Sequence, residues 1–208
     1  MPLSEAARVG AQGVGVAIVS YNTVDLLRDC LASLAACTLP VAVVVVDNGS
    51  HDGSVAMIAE EFPAVTVLTP DTNLGFARGT NLALRRLQAD APALEWYYLL
   101  NPDTVVYPGA LEALVAFGQA HPRVGVVSPR LVNVDGSLQR GVFRFPTPLM
   151  TLFDVLPPGE ATPGRFYDSW WHGRYPQEAA GNAPFPVDHP LGAALLTRAQ
   201  VLAEVGLL

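Results

Sequence analysis

The stretch VAVVVVDNGS, Val41 to Ser50, most narrows what this chain can fold into. Its apolar residues are largely β-branched and do not alternate with polar ones. Such a strand is buried on both faces, which requires helices above and below it and favours a parallel sheet. The run stops on Asp47 and a cluster of turn formers. The same design recurs along the chain. VGVAIVSY (residues 14–21) runs into Asn22, VTVLTP precedes Asn73, and EWYYLLNPD closes on Asn101-Pro102-Asp103.

Helical periods separate these runs. In TVDLLRDCLASLAAC, residues Val24, Leu27, Leu31 and Leu34 fall on one face, with Asn22 or Thr23 placed to cap it. Residues 53–62, NLGFARGTNLALRRLQA and GALEALVAFGQAH read as further helices, and VGVVSPRLV as a fifth strand. The expected fold is α/β, a mostly parallel sheet with helices on both faces. In such a sheet every polar knot lies at the carboxyl edge, where doubly wound folds bind ligands.

After about residue 135 the texture changes. VDGSLQRG reads as a tight hairpin turn around Asp135-Gly136. Residues 145–190 are rich in proline and aromatics and read as an irregular, mobile loop. VDHPLGAALLTRAQVLAEVGLL then restores order as a strand or turn leading into a helix.

Charge and cysteine content exclude several functions. The 208 residues carry 12 Lys+Arg against 19 Asp+Glu, a net charge of −7, which argues against a nucleic-acid binder dependent on phosphate neutralisation. Cys30 and Cys37 lie roughly 10 Å apart along one helix, too far for a mutual disulfide, and both are expected reduced. The expected location is therefore cytoplasmic, with the inner face of a membrane open as a contact. The first residues lack a signal peptide's basic and apolar regions, and no window holds the ~20 apolar residues of a membrane span.

Four places could carry chemistry. Asp103, with Asn101 beside it, suits a hard divalent cation, Mg or Mn, bridging diphosphate oxygens; it equally suits a plain turn before Tyr107-Pro108-Gly109. Asp47 could accept hydrogen bonds from a base or ribose, or serve as an Asx-turn residue. Tyr21 could stack on a base or pack at the strand end. NLGFARGTN opens a helix whose first amides, with Arg78, could receive an anion; it is neither a P-loop nor G-x-G-x-x-G. The four histidines are scattered, and no Ser sits in a G-x-S-x-G elbow.

In this order VAIVSYN, VVVVDNGSHDGS, NLGFARGTN, YYLLNPDT, DGSLQRGVFRFPTP and VDHPLGAALLTR resemble the inverting glycosyltransferases of family 2. Those have the GT-A fold, and the rhamnosyltransferase-like branch is the nearest match. The resemblance spans about Val14 to Leu208. It implies a donor site of Ser20, Tyr21, Asn22, Asp47 and Asn48 toward the base. Asn73, Gly75, Arg78 and Asn81 would lie toward ribose and diphosphate, with Asn101 and Asp103 at the metal. Asp103 would be the one carboxylate left in the family's Asp-x-Asp motif. Gly192 and Asp188 would lie on the acceptor side. The implied cofactor is a divalent cation, Mg or Mn. The implied partners are a nucleoside-diphosphate sugar, dTDP- or UDP-linked, and a glycan or lipid-linked acceptor.

The organisation implied is a flexible N-terminus (1–13), a nucleotide-sugar-binding half (14–135) and an incomplete acceptor-side half (136–208). The family's general base lies in an acidic segment after EVGLL. Residues 188–208 hold only Asp188 and Glu204 as carboxylates, so the base is expected to be absent, Asp188 being the substitute to test, and transfer slow. Two other readings are a non-catalytic nucleotide-sugar-binding fragment and a sugar nucleotidyltransferase. The second should carry a Gly-rich basic loop after the first strand, and SYNTVDLL has none.

Overall fold

The computed structural model describes residues 13–155, 173–175, 178, 181 and 183–208. The chain divides into two compact units, the described residues through Pro129 together with Gly192–Leu208, and Arg130–Leu191.

The first unit is a six-stranded sheet flanked by helices. Its strands are β1 (Val14–Ser20), β2 (Val41–Asp47), β3 (Thr66–Leu68), β4 (Trp96–Leu100), β5 (Val126–Val127) and β10 (Ala194–Arg198), in the order β3-β2-β1-β4-β10-β5. β3, β2, β1 and β4 run parallel, as their unbroken apolar character requires. β10 enters antiparallel between β4 and β5. The expected fifth strand is broken: β5 ends before Ser128-Pro129, and β6 (Leu131–Val132) belongs to the other unit. Pro129 has no amide hydrogen to continue a ladder, and Ser128 Oγ instead donates to the Ala194 carbonyl at 3.2 Å.

The helices are α1 (Val24–Ala35), α2 (Ser54–Glu61), α3 (Gly75–Asp90), α4 (Ala110–Ala120) and, after β10, α6 (Ala199–Val205). One sheet face packs Ala17, Val44, Val46 and Leu99 against Ala83, Leu84 and Leu87 of α3 and Leu202 of α6. There Gly79 of α3 lies so close to β1 that a Cβ would stand 3.0 Å from Val19. The other face carries α4, where any side chain at Gly118 would strike the Trp96 ring. The two glycines set how closely α3 and α4 approach the sheet.

α1 is not capped as its sequence suggests. The Thr23 hydroxyl pairs with Ser20 Oγ at 2.9 Å, and the Asn22 side chain accepts from His51 N–H. The first amide of α1, Val24 N–H, donates instead to Asp52 Oδ2 at 2.8 Å. Cys30 and Cys37 are free thiols. Burial of Cys30 pushes its pKa up to about 12.

In the second unit β6 and β7 (Leu138–Gln139) form the hairpin expected at Asp135-Gly136, with Gly136 at φ +80°. Asp135 Oδ1 accepts from the Ser137 amide and hydroxyl. β8 (Val142–Phe143) pairs antiparallel with β9 (His189–Pro190). Buried Glu178 accepts the Gly141 N–H. Within 145–190, read as aperiodic, Pro148–Val155 forms a helix, α5. Thr147 and Pro148 supply the start: Thr147 Oγ1 accepts Met150 N–H at 3.3 Å, and proline is preorganised for the first helical position. The mobility expected of that segment falls largely on residues 156–172, which lie outside the described residues.

Candidate functional site

The sheet gathers the strand ends at one edge. Ser20 and Asp47 are register partners, and Ile18 pairs with Leu100, so Asn101 continues past the same edge. Chain order reverses beside β1, with β2 and β3 on one side and β4 on the other, which defines the crevice where such sheets bind ligands. Asp47 and Asn101 are separated by two strand spacings, about 10 Å.

At the β2 end, Asp47 is 2% exposed. Its Oδ1 accepts the amides of Gly49 (3.1 Å) and Ser50 (2.8 Å), the Asx turn that DNGS suggests. Its Oδ2 is buried with no hydrogen-bond partner among the described residues. An ionised oxygen left so is costly, and a donor supplied by a ligand would relieve it. Tyr21 is 53% exposed beside this turn, and Asn22 holds a left-handed φ of 52°. Asn22 N–H donates to Ser50 Oγ while His51 N–H donates to Asn22 Oδ1, so the first two strand-to-helix turns are laced together.

Asn48 reaches the third turn. Its Oδ1 accepts Leu74 N–H at 3.1 Å and its Nδ2 donates to the Gly75 carbonyl at 3.3 Å. Its own N–H donates to the Ser20 carbonyl. Its amide is thus spent positioning the start of α3. Asn73 Oδ1 accepts Gly75 N–H at 2.8 Å, and Gly75 takes φ +70°, which favours glycine. Arg78 is exposed in the first turn of α3, with no ion pair among the described residues. Asn81 is drawn elsewhere: its Nδ2 donates to the Leu208 carbonyl at 2.6 Å and its Oδ1 accepts Leu208 N–H at 2.9 Å.

At the β4 end the Asn101-Pro102-Asp103-Thr104 turn is tight. The Asn101 carbonyl accepts the Thr104 amide (3.3 Å) and hydroxyl (2.7 Å), and Asn101 N–H donates to the Ala193 carbonyl at 2.9 Å. The next residue outward, Gly192, is exposed, and a Cβ there would meet nothing within 4 Å. Asp103 is exposed, and its carboxylate has no hydrogen bond or ion pair among the described residues. No group of three or more His, Cys, Asp or Glu that could cage an ion occurs among the described residues. A single free carboxylate fits a Mg or Mn ion that completes its shell with diphosphate oxygens and water.

Asp188 belongs to the second unit. Its Oδ2 accepts Phe145 N–H at 2.9 Å and its N–H donates to the Tyr175 hydroxyl, so its carboxylate is engaged in fixing that unit's loops. Asp52 was not among the expected site residues, yet it ties two helices at this edge. It accepts Val24 N–H with one oxygen and the Ser54 amide and hydroxyl with the other. The Ser54 hydroxyl and the Val24 and Ser54 amides hold its pKa below the ordinary carboxylate value. The signal for it was Asp-Gly-Ser directly ahead of a helical run.

This geometry, a mostly parallel sheet with a polar crevice at its switch point, is an α/β fold of the GT-A type. The profile of glycosyl transferase family 2 matches residues 15–202, and the chain belongs to that family. It is 30% identical over 200 residues to the N-acetylglucosaminyl-diphospho-decaprenol L-rhamnosyltransferase of Mycobacterium tuberculosis, covering 92% of this chain and 63% of that protein. The chain thus spans somewhat less than two thirds of that relative's length. An uncharacterized glycosyltransferase of Bacillus subtilis, YfnE, is 36% identical over 80 residues, covering 36% of this chain and 20% of that protein. Among solved structures, the mannosyltransferase PcManGT of Pyrobaculum calidifontis, in complex with GDP-Man and Mn2+, superimposes with a TM-score of 0.59. It is 21% identical over 93% of this chain and 46% of that one. TarS 1-349 of S. aureus, in complex with UDP-GlcNAc, gives 0.52 at 26% identity, over 62% of this chain and 37% of that one.

Proposed function

We propose that this chain binds a nucleoside-diphosphate sugar along the carboxyl edge of its sheet and serves transfer of the sugar, with inversion, to a glycan or lipid-linked acceptor. The observation that supports it best is the pair of strand-end aspartates. Asp47 keeps a buried oxygen without a partner, and Asp103, two strands away, presents an unpaired carboxylate to solvent. The first suits an N–H or O–H of base or ribose, the second a metal on the diphosphate. Tyr21 would stack on the base, and Ser20 and Asn22 would shape that end. Asn73, Gly75 and Arg78 would line ribose and diphosphate, with Asn48 as the positioning residue behind them. Gly192 leaves open space beside Asn101 for the sugar. Asn81, spent on the main chain of Leu208, supports rather than touches the donor, and Asp188 is spent on contacts within its own unit.

A Mg or Mn ion held by Asp103 and diphosphate oxygens would offset the charge developing on the leaving diphosphate. Arg78 adds positive charge on the same side, and the start of α3 aims amide dipoles there. The mycobacterial relative is named for rhamnosyl transfer to a diphospho-lipid, which supports a deoxyhexose as the sugar and a lipid-linked acceptor. No helix among the described residues is long and apolar enough to cross a membrane; a lipid-linked acceptor would bring the chain to the membrane surface.

A thermal-shift screen of UDP, dTDP and GDP, each with and without Mn2+, tests this reading. The expected result is stabilisation by at least one nucleoside diphosphate, dependent on the metal. No shift with any of them would overturn it.

A further inference from the structure

α3 carries one side chain where its packing pattern calls for burial and the fold provides none. Its buried residues are Gly79, Thr80, Ala83, Leu84 and Leu87. Phe76 precedes Thr80 by four residues and Ala83 by seven, so it lies in the middle of the same stripe. Yet Phe76 is 48% exposed. The reason is the edge of the sheet. Gly79 lies against Val19 of β1, and α3 starts past the end of β2, where the Asn48 side chain bonds Leu74 and Gly75. Phe76 therefore stands about 4.5 Å further along the helix than Gly79, at 1.5 Å per residue. A helical side chain leans toward the N-terminus, which carries this ring further out over the crevice. The strand beneath does the same. Ala17 and Val19 face α3, and strand alternation brings the next of that row to Tyr21, about 7 Å past Val19. Tyr21 is 53% exposed. Two facing rows that pack together inside the fold thus end, past the edge, in two half-exposed aromatic side chains.

A lone exposed apolar side chain is ordinary on a protein surface. An aromatic at a core position, placed where its stripe outruns the sheet, calls for a planar apolar occupant. The neighbouring polar groups say which. Ser20, directly before Tyr21, is the register partner of Asp47. Asn48, which holds the start of α3, directly follows Asp47. Asp47, whose buried Oδ2 has no partner among the described residues, thus sits between the supports of the two aromatics. A flat ring with an N–H donor at its edge answers both features, and a nucleobase is such a ring. We propose that Phe76 is a specificity-determining residue of the donor site: it forms the second wall of the base site, opposite Tyr21, so that the base lies between two aromatic rings. The inference rests on the donor reading above and deepens it, since the base is then held by a clamp from two separate strand-to-helix turns. The Asn48 side chain gains a further task, because the turn it fixes is the one that places Phe76.

Calorimetry on the whole chain tests it. UDP, dTDP, GDP and inorganic diphosphate, each with Mn2+, are titrated into wild type, Phe76→Ala, Phe76→Tyr and Tyr21→Ala. Whichever nucleoside diphosphate binds wild type should weaken about tenfold or more in Phe76→Ala, the size of a lost base–aromatic stack. Phe76→Tyr keeps the ring and should keep wild-type affinity. Inorganic diphosphate has no base and should bind all four proteins alike. If Phe76→Ala does not fold, Phe76→Leu, which keeps apolar volume without the flat ring, takes its place with the same expectations. Unchanged nucleoside diphosphate affinity in Phe76→Ala, with weakening in Tyr21→Ala, overturns this inference and leaves the donor reading standing. Equal weakening of nucleoside and inorganic diphosphate in Phe76→Ala also overturns it, because Phe76 would then act only through the placement of α3. Binding of no nucleoside diphosphate to wild type overturns the donor reading, and this inference with it.

Discussion

Asp47 and Asp103 each follow a buried strand of the same sheet, and the surrounding chain treats them in opposite ways. Asp47 is enclosed by its own turn, with one oxygen fully used and the other buried and idle. Asp103 stands in solvent with nothing attached, on a turn held by main-chain bonds, the Thr104 hydroxyl and the Cys30 thiol. One end of the crevice is prebuilt and lacks only a donor. The other carries a carboxylate whose removal would cost the fold almost nothing. Such an asymmetry suits a ligand with one end recognised by shape and hydrogen bonds and the other by charge.

The sharpest way to break this contrast is Asp103→Ala. Metal-dependent affinity for a nucleoside diphosphate should fall by roughly 100-fold, as loss of the metal's one protein carboxylate implies. Stability should move by no more than about 0.5 kcal/mol, as for other exposed substitutions. Calorimetry and thermal melting read the two effects separately, and a large drop in melting temperature would make Asp103 a structural residue. Asp47→Ala should act on both. It should cost about 1–3 kcal/mol of nucleotide affinity through lost hydrogen bonding and leave inorganic diphosphate with Mn2+ unaffected. Equal weakening of both ligands would assign Asp47 to the metal end or to the fold.

Asn48→Ala sharpens the contrast by removing a clamp rather than a contact. Loss of its bonds to Leu74 and Gly75 should lower stability by about 1–3 kcal/mol in urea titrations. Faster amide exchange should be concentrated at Leu74, whose N–H the Asn48 side chain accepts. Asp52→Ala should give the smallest effect, about 0.5–2 kcal/mol at neutral pH, the size of a lost helix cap. The Asp52 pKa is lower folded than unfolded, so its contribution is present above the ordinary value of 3.8. It is lost as pH falls through the lower folded value. Wild type and variant should therefore converge in stability in acid, and a constant gap down to pH 2 would contradict the assignment.

Much of this was legible in the residues. Runs such as VAVVVVD announce doubly buried strands, and polar residues directly after them had to gather at one edge. What was not legible depended on partners distant in sequence. The Asn48 clamp joins a residue to a turn 26 positions away, and the Asn81 amide is taken by Leu208, 127 positions away. The antiparallel direction of β10 follows from its pairing with β4, which no local pattern in GAALLTR encodes. α5 was missed because proline density masked an eight-residue helix whose start, Thr147-Pro148, was visible. The stacking of Arg174 on the Phe143 ring joins β8 to a segment some 30 residues on, a pairing that periodicity cannot show.

The central claim is that both ends of the crevice engage one ligand. Amide chemical-shift mapping of the labelled chain with UDP or dTDP and diamagnetic Mg2+ tests it directly. The account predicts saturable shifts at Gly49 and Ser50, whose amides bind Asp47, and at Asp103 and Thr104, with one shared dissociation constant. Omitting Mg2+ should weaken both sets together. Shifts confined to one end, or two sets that titrate with different constants, would contradict it.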